Sequence, residues 1–201
     1  MKVEIITFQD WRVMGLEKED VVVTVSKSDS WSVGLSPFVL GPCELYDGHV
    51  AKNVENAWQF CKVYPEFTNG SIIKDEYWDW CKKGWNDSYA HRYPMGKGKV
   101  PQFSYWDGEK LDYVSARKKI YIPLYHKAVK GTDAFKKLQE VYNDHVIANK
   151  DLHLVDFDAY RHRMFNMDYD DVINCSNKKM GHAFILGAML ECPEVLDKYI
   201  Q

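Results

Sequence analysis

Hydrophobic positions change their period several times along the chain, and each change predicts a different element. Two short runs rich in β-branched residues, 3–8 and 21–25, predict strands, and residues 152–157 alternate like a third strand. After Asn53, a residue suited to capping a helix, apolar residues recur at helical spacing as far as Tyr64, and Pro65 ends the pattern. Strands and helices are therefore expected to mix along the chain.

Helical periodicity continues at residues 74–83, with Gly84 expected as the C-terminal residue of that helix. Residues 85–108 are dense in Gly, Pro, Tyr and His and show no period. An irregular segment of this length inside a compact domain is typical of a functional or mobile loop.

The second half of the chain predicts three more helices. One covers residues 111–130, where Pro123 should kink or break it. Thr132 caps the next, and residues 180–190 form a buried apolar helix. We therefore expect an α+β fold, a single mainly helical domain over residues 1–201 with a small sheet near its N-terminal half.

Composition narrows the class of protein. Of 201 residues, 46% are hydrophobic and 27% are charged, which is typical of a globular domain. No apolar run reaches the ~18–20 residues of a membrane span, so no membrane partner is expected. Polar residues follow the N-terminus too soon for a secretory signal. Five cysteines without a CxxC pair and histidines without ligand spacing predict free thiols, no metal and a cytoplasmic location.

Positive charge is concentrated between residues 110 and 137, where eight basic residues stand against Asp112 and Asp133. A basic stripe can bind phosphates or a nucleic acid, but on helices it more often forms a solvated face. Most of these lysines are expected to belong to such a face.

The predicted helix after Asn53 is the most informative segment. Glu55, Gln59 and Lys62 are spaced i, i+4 and i+7, which places a carboxylate, an amide and an amine on one helical face. Trp58 lies between them. An exposed polar ladder is the simpler interpretation, but it would leave Trp58 partly exposed. We predict instead that the three polar side chains line one pocket.

A glycine-rich loop is the second candidate. Gly96 and Gly98 flank Lys97, so backbone N–H groups can approach an anion there, and Arg92 adds charge. A flexible loop with solvated lysines is the alternative. We predict that residues 90–99 border the same pocket and bind an anion.

A pair of carboxylates is the third candidate. Asp156 and Asp158 follow a predicted strand, and residues two apart in an extended chain point the same way. Surface aspartates or a helix cap are the alternatives.

Taken in order, six blocks resemble the NADAR family, named for its association with NAD and ADP-ribose. VENAWQFCKVY is similar to the family's signature helix and places Glu55, Gln59 and Lys62 on matching positions. The resemblance covers about residues 35–190. Asn56 stands where the family has histidine, and Arg161-His162 stands where it has Trp-Gly. The other blocks are LSPFVLGPCELYDG, SYAHRYPMGKG, ARKKIYIPLYHKAVKGTDAFKKLQEV, LVDFDAY and KKMGHAFILGAML.

The resemblance implies an N-glycosidase that needs no cofactor and cleaves the bond between ribose C1 and a nitrogen. It implies that Lys62 attacks C1 to form a Schiff base, that Glu55 moves protons and that Asp158 assists. The partner would be a phosphorylated riboside or an ADP-ribosylated nucleobase. The substrate-binding residues would be Gln59, Trp58, Asn56, Arg92, Gly96, Lys97, Lys127 and Trp85, with phosphate on Arg92, Lys97 or Lys127 and the base on Trp58 or Trp85.

Two other functions remain open. A module that binds a nucleotide or ADP-ribose without turnover is favoured by the departures at Asn56 and Arg161-His162. A protein that interacts with nucleic acid would use the basic stripe, and its binding would depend steeply on salt. Loss of turnover in a Lys62 variant that still folds would distinguish an enzyme from a binding module.

Overall fold

The computed structural model describes residues 1–28 and 30–200, and it has the predicted α+β class. Its strands are β1 Val3–Ile6, β2 Val21–Val23, β3 Cys43–Glu44, β4 Val50–Ala51, β5 Lys62–Val63, β6 Thr68–Asn69, β7 Ile72–Ile73, β8 Phe103–Trp106, β9 Glu109–Leu111 and β10 Leu152–Val155. Its α-helices are α1 Phe8–Met14, α2 Val54–Phe60, α3 Asp75–Asn86, α4 Tyr113–Ala116, α5 Ile122–Val129, α6 Asp133–Ala148, α7 Tyr169–Asn174, α8 His182–Glu191 and α9 Glu194–Asp197.

A parallel sheet in the order β1-β10-β2 pairs two strands near the N-terminus with a strand from the last third of the chain. Val3 pairs with Leu152, and His153 pairs with Val21. All four residues of β10 are buried, because a central parallel strand is covered on both faces. The sheet expected near the N-terminal half therefore takes its central strand from the C-terminal part of the chain.

Helix α2 is shorter than the sequence predicts. It ends at Phe60, and Lys62–Val63 then pair in antiparallel fashion with Ser104 and Phe103 of β8. The helical periodicity up to Tyr64 predicted the wrong C-terminal end for α2, because pairing with β8 overrides the local preference for helix. Lys62 thus stands on a strand, not on the helix.

The predicted long helix after residue 111 is not broken at Pro123. A π-helical turn over Arg117–Tyr121 joins α4 to α5, and Pro123 follows it in the first turn of α5. Proline lacks an N–H, so a wide turn before it accommodates the missing hydrogen bond.

One hydrophobic cluster extends from Val3 to Leu196 and includes the apolar helix α8. Among the described residues, the helices lack the combination of length and apolar composition that a membrane span requires.

Gly84 lies inside α3 rather than at its end, because α3 continues to Asn86. A Cβ at Gly84 would overlap the ring of Phe60, so the glycine permits the close approach of α2 and α3. We expect Gly84→Ala to lower the free energy of unfolding by about 1–3 kcal/mol through overpacking. Denaturant unfolding measures this change.

Gly131→Ala is the matched control for Gly84→Ala. A Cβ at Gly131 meets no atom within 4 Å. Equal unfolding free energies for the two variants would show that the packing of α3 on α2 is looser than described.

Candidate active site

A cavity of about 620 Å³ opens at the carboxyl edge of the parallel sheet. Residues 25–27, which follow β2, and residues 156–158, which follow β10, line one side of it. Polar side chains of α2 and aromatic side chains of the helix containing the π turn line the other. In open sheets with parallel strands, ligands bind beyond the carboxyl ends of the strands, so this is the expected place for a site.

Glu55, Gln59 and Lys62 form a hydrogen-bonded chain in this cavity. Nε2 of Gln59 donates to Oε1 of Glu55 at 2.9 Å, and Nζ of Lys62 donates to Oε1 of Gln59 at 2.7 Å. All three side chains line the cavity, as predicted. The predicted grouping is therefore correct, although Lys62 reaches it from β5.

Local structure explains the geometry. Asn53 caps α2 by accepting from the N–H of Asn56, and the i, i+4 spacing brings Glu55 and Gln59 together. The helix ends at Phe60, so the chain turns into β5 with Lys62 as its first residue. The Gln59 amide then separates the carboxyl group from the amine.

Burial shifts both end groups of this chain toward their neutral forms. It raises the pKa of Glu55 to about 7, against the opposing effects of the Gln59 hydrogen bond and the Lys62 charge. It also lowers the pKa of the Lys62 amine, outweighing the nearby Glu55 and Asp158 carboxylates. A protonated acid and an uncharged amine are the states needed for proton donation and nucleophilic attack.

Trp58 supplies an aromatic wall next to the amine. Nζ of Lys62 lies 4.6 Å from the Trp58 ring centroid, and the Trp58 ring lies 5.1 Å from that of Tyr121. Tyr113, which is partly exposed, lies 6.4 Å from Trp58. The rings are tilted by 39° and 44° to Trp58, and together they form a largely apolar wall against which a planar base can pack.

The two aspartates after β10 have different partners. Asp158 lies between Arg92 and Lys179, at 3.0 Å and 3.6 Å. Asp156 is buried, pairs with His182 at 3.1 Å and accepts from the N–H of Ala183 in the first turn of α8. The chain turns at residues 157–158 instead of staying extended, and both aspartates line the cavity.

The predicted loop also borders the cavity, but with other residues than expected. Arg92 and Lys99 are in the wall, whereas Gly96 and Lys97 are exposed and outside it. Lys99 pairs with Glu66 at 2.6 Å. The positive φ angles of Gly96 and Gly98 turn the loop on both sides of Lys97.

Lys127 and Trp85 also lie outside the cavity wall. Lys127 is on the exposed side of α5, paired with Glu44 at 2.9 Å. Trp85 is buried in α3 against Tyr46 and His49, so its ring faces the core. Sequence alone could not separate these two from true site residues, because only tertiary packing determines their direction.

Asn56 is fully buried and does not line the cavity, which corrects its assignment to substrate binding. Its Nδ2 donates to the carbonyls of Asp87 and Tyr89, both at 2.9 Å, and its Oδ1 accepts from the N–H of His91 at 2.9 Å. Asn56 therefore holds the backbone of residues 87–91, which leads directly into Arg92, against α2.

We expect Asn56→Ala to loosen this segment. Removing the amide leaves two carbonyls and one N–H without partners, at a cost of about 2 kcal/mol in the free energy of unfolding. Hydrogen exchange at the His91 amide should lose its protection. Asn86→Ala is the control, because Nδ2 of Asn86 donates only to the exposed carbonyl of Lys82. Unchanged protection of His91 in Asn56→Ala would contradict the assignment.

The basic residues between 110 and 137 do not form one free stripe. Arg117 is buried, and its guanidinium donates to the carbonyls of Val172, Ile173, Cys175 and Lys178. Lys119 and Lys137 pair with Glu109 and Glu140. These contacts fit the solvated face that the sequence suggested for most of the lysines.

Sequence reasoning missed several cavity residues. They share one property: each reaches the site through contacts between distant parts of the chain. The helical spacing of Tyr113 and Tyr121 was the only local signal for any of them. The missed residues include Lys27, Tyr113, Tyr121, Lys179 and His182.

All five cysteines are free thiols. Within residues 1–28 and 30–200, no group of three or more His, Cys, Asp or Glu side chains is arranged to hold a metal ion. Comparisons with protein-family models, with curated proteins and with solved structures find no match to this chain.

Proposed function

We propose that this protein is an N-glycosidase that cleaves the C1–nitrogen bond of a phosphorylated N-riboside, such as an ADP-ribose adduct on a base. The observation that carries the proposal is the hydrogen-bonded chain of Glu55, Gln59 and Lys62 in an aromatic-walled cavity. These hydrogen bonds link Glu55, whose carboxyl pKa is raised by burial, to Lys62, whose amine pKa is lowered by burial. The resemblance of the sequence blocks to the NADAR family supports the same reaction.

The first half of the proposed reaction replaces the base by the amine. Nζ of Lys62 attacks C1, and the bonding pair of the C1–N bond leaves with the nitrogen, which takes the proton of Glu55. The Glu55 carboxylate then accepts a proton from the new ammonium group. Asp158 provides negative charge while the sugar carbon carries partial positive charge.

The second half releases the sugar. The remaining proton of the amine moves to the ring oxygen as the C1–O bond breaks, which leaves a Schiff base between C1 and Nζ. Water then adds to C1 and frees the aldehyde sugar and the neutral amine. The sum is hydrolysis, so no oxidant, reductant or further reactant is needed.

The departures from the family pattern lie outside the cavity wall. Asn56 fastens a backbone segment, and His162 is buried against Tyr169 and Phe184. Neither departure replaces Glu55, the proposed acid, or Lys62, the proposed nucleophile. These placements support turnover over a module that only binds its ligand, and the pairing of the basic residues gives no support to nucleic-acid binding.

Release of free base from a panel of ribosides tests the proposal. The panel compares phosphorylated N-ribosides with the matching O-ribosides and with unphosphorylated nucleosides. We expect an aldehyde sugar phosphate and free base from the phosphorylated N-ribosides only. Tight binding of the whole panel without release of base would instead identify a binding module.

The free cysteines suit the reducing cytoplasm, which we propose as the location.

A further inference from the structure

Three cationic side chains surround the turn that carries Asp158. Arg92 and Lys179 approach the Asp158 carboxylate at 3.0 Å and 3.6 Å. Arg92 and Lys27 lie 5.0 Å and 5.9 Å from the ring centroid of Phe157. All three cations line the cavity. Three positive charges around one carboxylate leave an excess of two.

The other charged groups of the wall do not cancel this excess. Asp156 is a second carboxylate, held by His182 and by the N–H of Ala183, and counting its charge in full still leaves one positive charge in excess. Burial raises the pKa of Glu55 to about 7, so much of it is uncharged at neutral pH. Lys99 is paired with Glu66 and adds no free positive charge. The excess is therefore local to the turn at residues 157–158.

Buried hydrogen bonds hold the segments that carry these cations in fixed positions. Thr24, three residues before Lys27, donates its N–H and its hydroxyl to the carbonyl of Val155, at 3.1 Å and 3.0 Å. The Thr24 carbonyl lies 2.8 Å from Nε2 of His182. The N–H of Gly181 donates to the carbonyl of Asp158 at 3.1 Å. The ends of β2, β10 and the start of α8 thus form one tied unit.

The turn that carries Lys27 is itself closed. The N–H of Ser28 donates to the carbonyl of Val25 at 3.0 Å, which makes Ser26 and Lys27 the central residues of the turn. Both are exposed and both line the cavity. A side chain at such a position can reach a ligand without rearranging the sheet.

We propose that Lys27, Arg92 and Lys179 form a subsite for a dianionic phosphate group, carried by the sugar whose C1 faces Lys62. The inference rests on the proposed function and goes beyond it, because it assigns phosphate recognition to Lys27 and Lys179. Arg92 offers a planar pair of donors, whereas the two lysines act as point charges. Phe157 holds Lys27 and Arg92 beside its ring.

The test uses a ligand pair that the proposed reaction does not cleave: methyl riboside 5-phosphate and methyl riboside, which carry an O-linked methyl group at C1 and no nitrogen leaving group. Calorimetry measures the dissociation constant of each. We expect the phosphorylated sugar to bind wild-type protein at least about tenfold more tightly than the sugar alone. Added salt should reduce this preference, because the subsite is open to solvent.

Lys27→Gln and Lys179→Gln should each reduce the phosphate preference about fivefold, and the double variant should nearly abolish it. Methyl riboside itself should bind all variants equally. Lys18→Gln is the matched control, an exposed lysine outside the cavity wall, and should behave as wild type. Inorganic phosphate and ADP-ribose as further probes show whether a single phosphate or a diphosphate is preferred.

A phosphate preference that is unchanged in both single variants, or absent from wild-type protein, overturns the subsite. Neither result depends on turnover. If the preference follows Lys27 and Lys179 while no riboside is cleaved, the subsite stands and the N-glycosidase proposal fails. If ribosides are cleaved but the lysine variants keep full preference, the proposed function stands and the subsite fails.

Discussion

Replacing Lys62 by arginine is expected to lower kcat by about a thousandfold or more while substrate binding is largely kept. The guanidinium stays protonated and cannot attack C1, but it keeps N–H donors beside Gln59. Steady-state kinetics with a cleaved riboside measures the loss. Calorimetry with the same riboside measures binding.

Two further variants make this result interpretable. Lys62→Met matches the shape of the neutral amine and tests whether a permanent charge, rather than loss of the nucleophile, disturbs the buried site. Lys83→Arg changes an exposed lysine of α3 outside the cavity and should leave kcat unchanged. Wild-type kcat in Lys62→Arg would leave the carboxylates to catalyse attack by water.

Replacing Glu55 by glutamine is expected to lower kcat by about 10²–10⁴-fold and to change the pH profile. In wild-type protein the Glu55 carboxyl must be protonated, so activity should fall as pH rises through about 7. Activity should rise with pH as Lys62, whose pKa burial lowers, becomes neutral. Glutamine removes the fall in activity caused by ionisation of Glu55 and leaves the rise caused by deprotonation of Lys62 in place.

The same variant makes a prediction for stability. Burial raises the pKa of Glu55 from 4.5 to about 7, so its protonated form stabilises the folded state. That contribution is complete below pH 4.5 and is lost as pH rises through about 7. Glu55→Gln should therefore gain stability relative to wild type above pH 7. Glu109→Gln, an exposed carboxylate paired with Lys119, should show no such gain. In the kinetic experiment, a fall in activity at high pH that persists in Glu55→Gln would assign that fall to an ionisable group other than Glu55.

Local patterns predicted most of the elements but not their pairing. The helix capped by Thr132 and the apolar helix before Pro193 were correct, because their periodicity and caps lie within a few residues. The end of α2 was wrong because β8, some forty residues later, pairs with Lys62–Val63. The central position of β10 depends on pairing with strands near the N-terminus, which local sequence does not encode.

The candidate site divides in the same way. Glu55, Gln59 and Trp58 share one helix, so their spacing was enough to place them together. Lys27 and Lys179 join them only because β2, β10 and α8 meet at one edge of the sheet. Lys127 and Trp85 had suitable chemistry, but packing turns both away from the cavity. The functional family, suggested by block order alone, stays a prediction.

Peptide mapping by mass spectrometry after borohydride reduction during turnover tests Lys62 as the nucleophile most directly. Borohydride reduces a Schiff base to a stable secondary amine, so wild-type protein should carry one reduced sugar phosphate, on the peptide that contains Lys62. Lys62→Arg treated in the same way should carry none. Full turnover of the riboside with borohydride present, but with the Lys62 peptide unmodified, would contradict the Schiff-base mechanism.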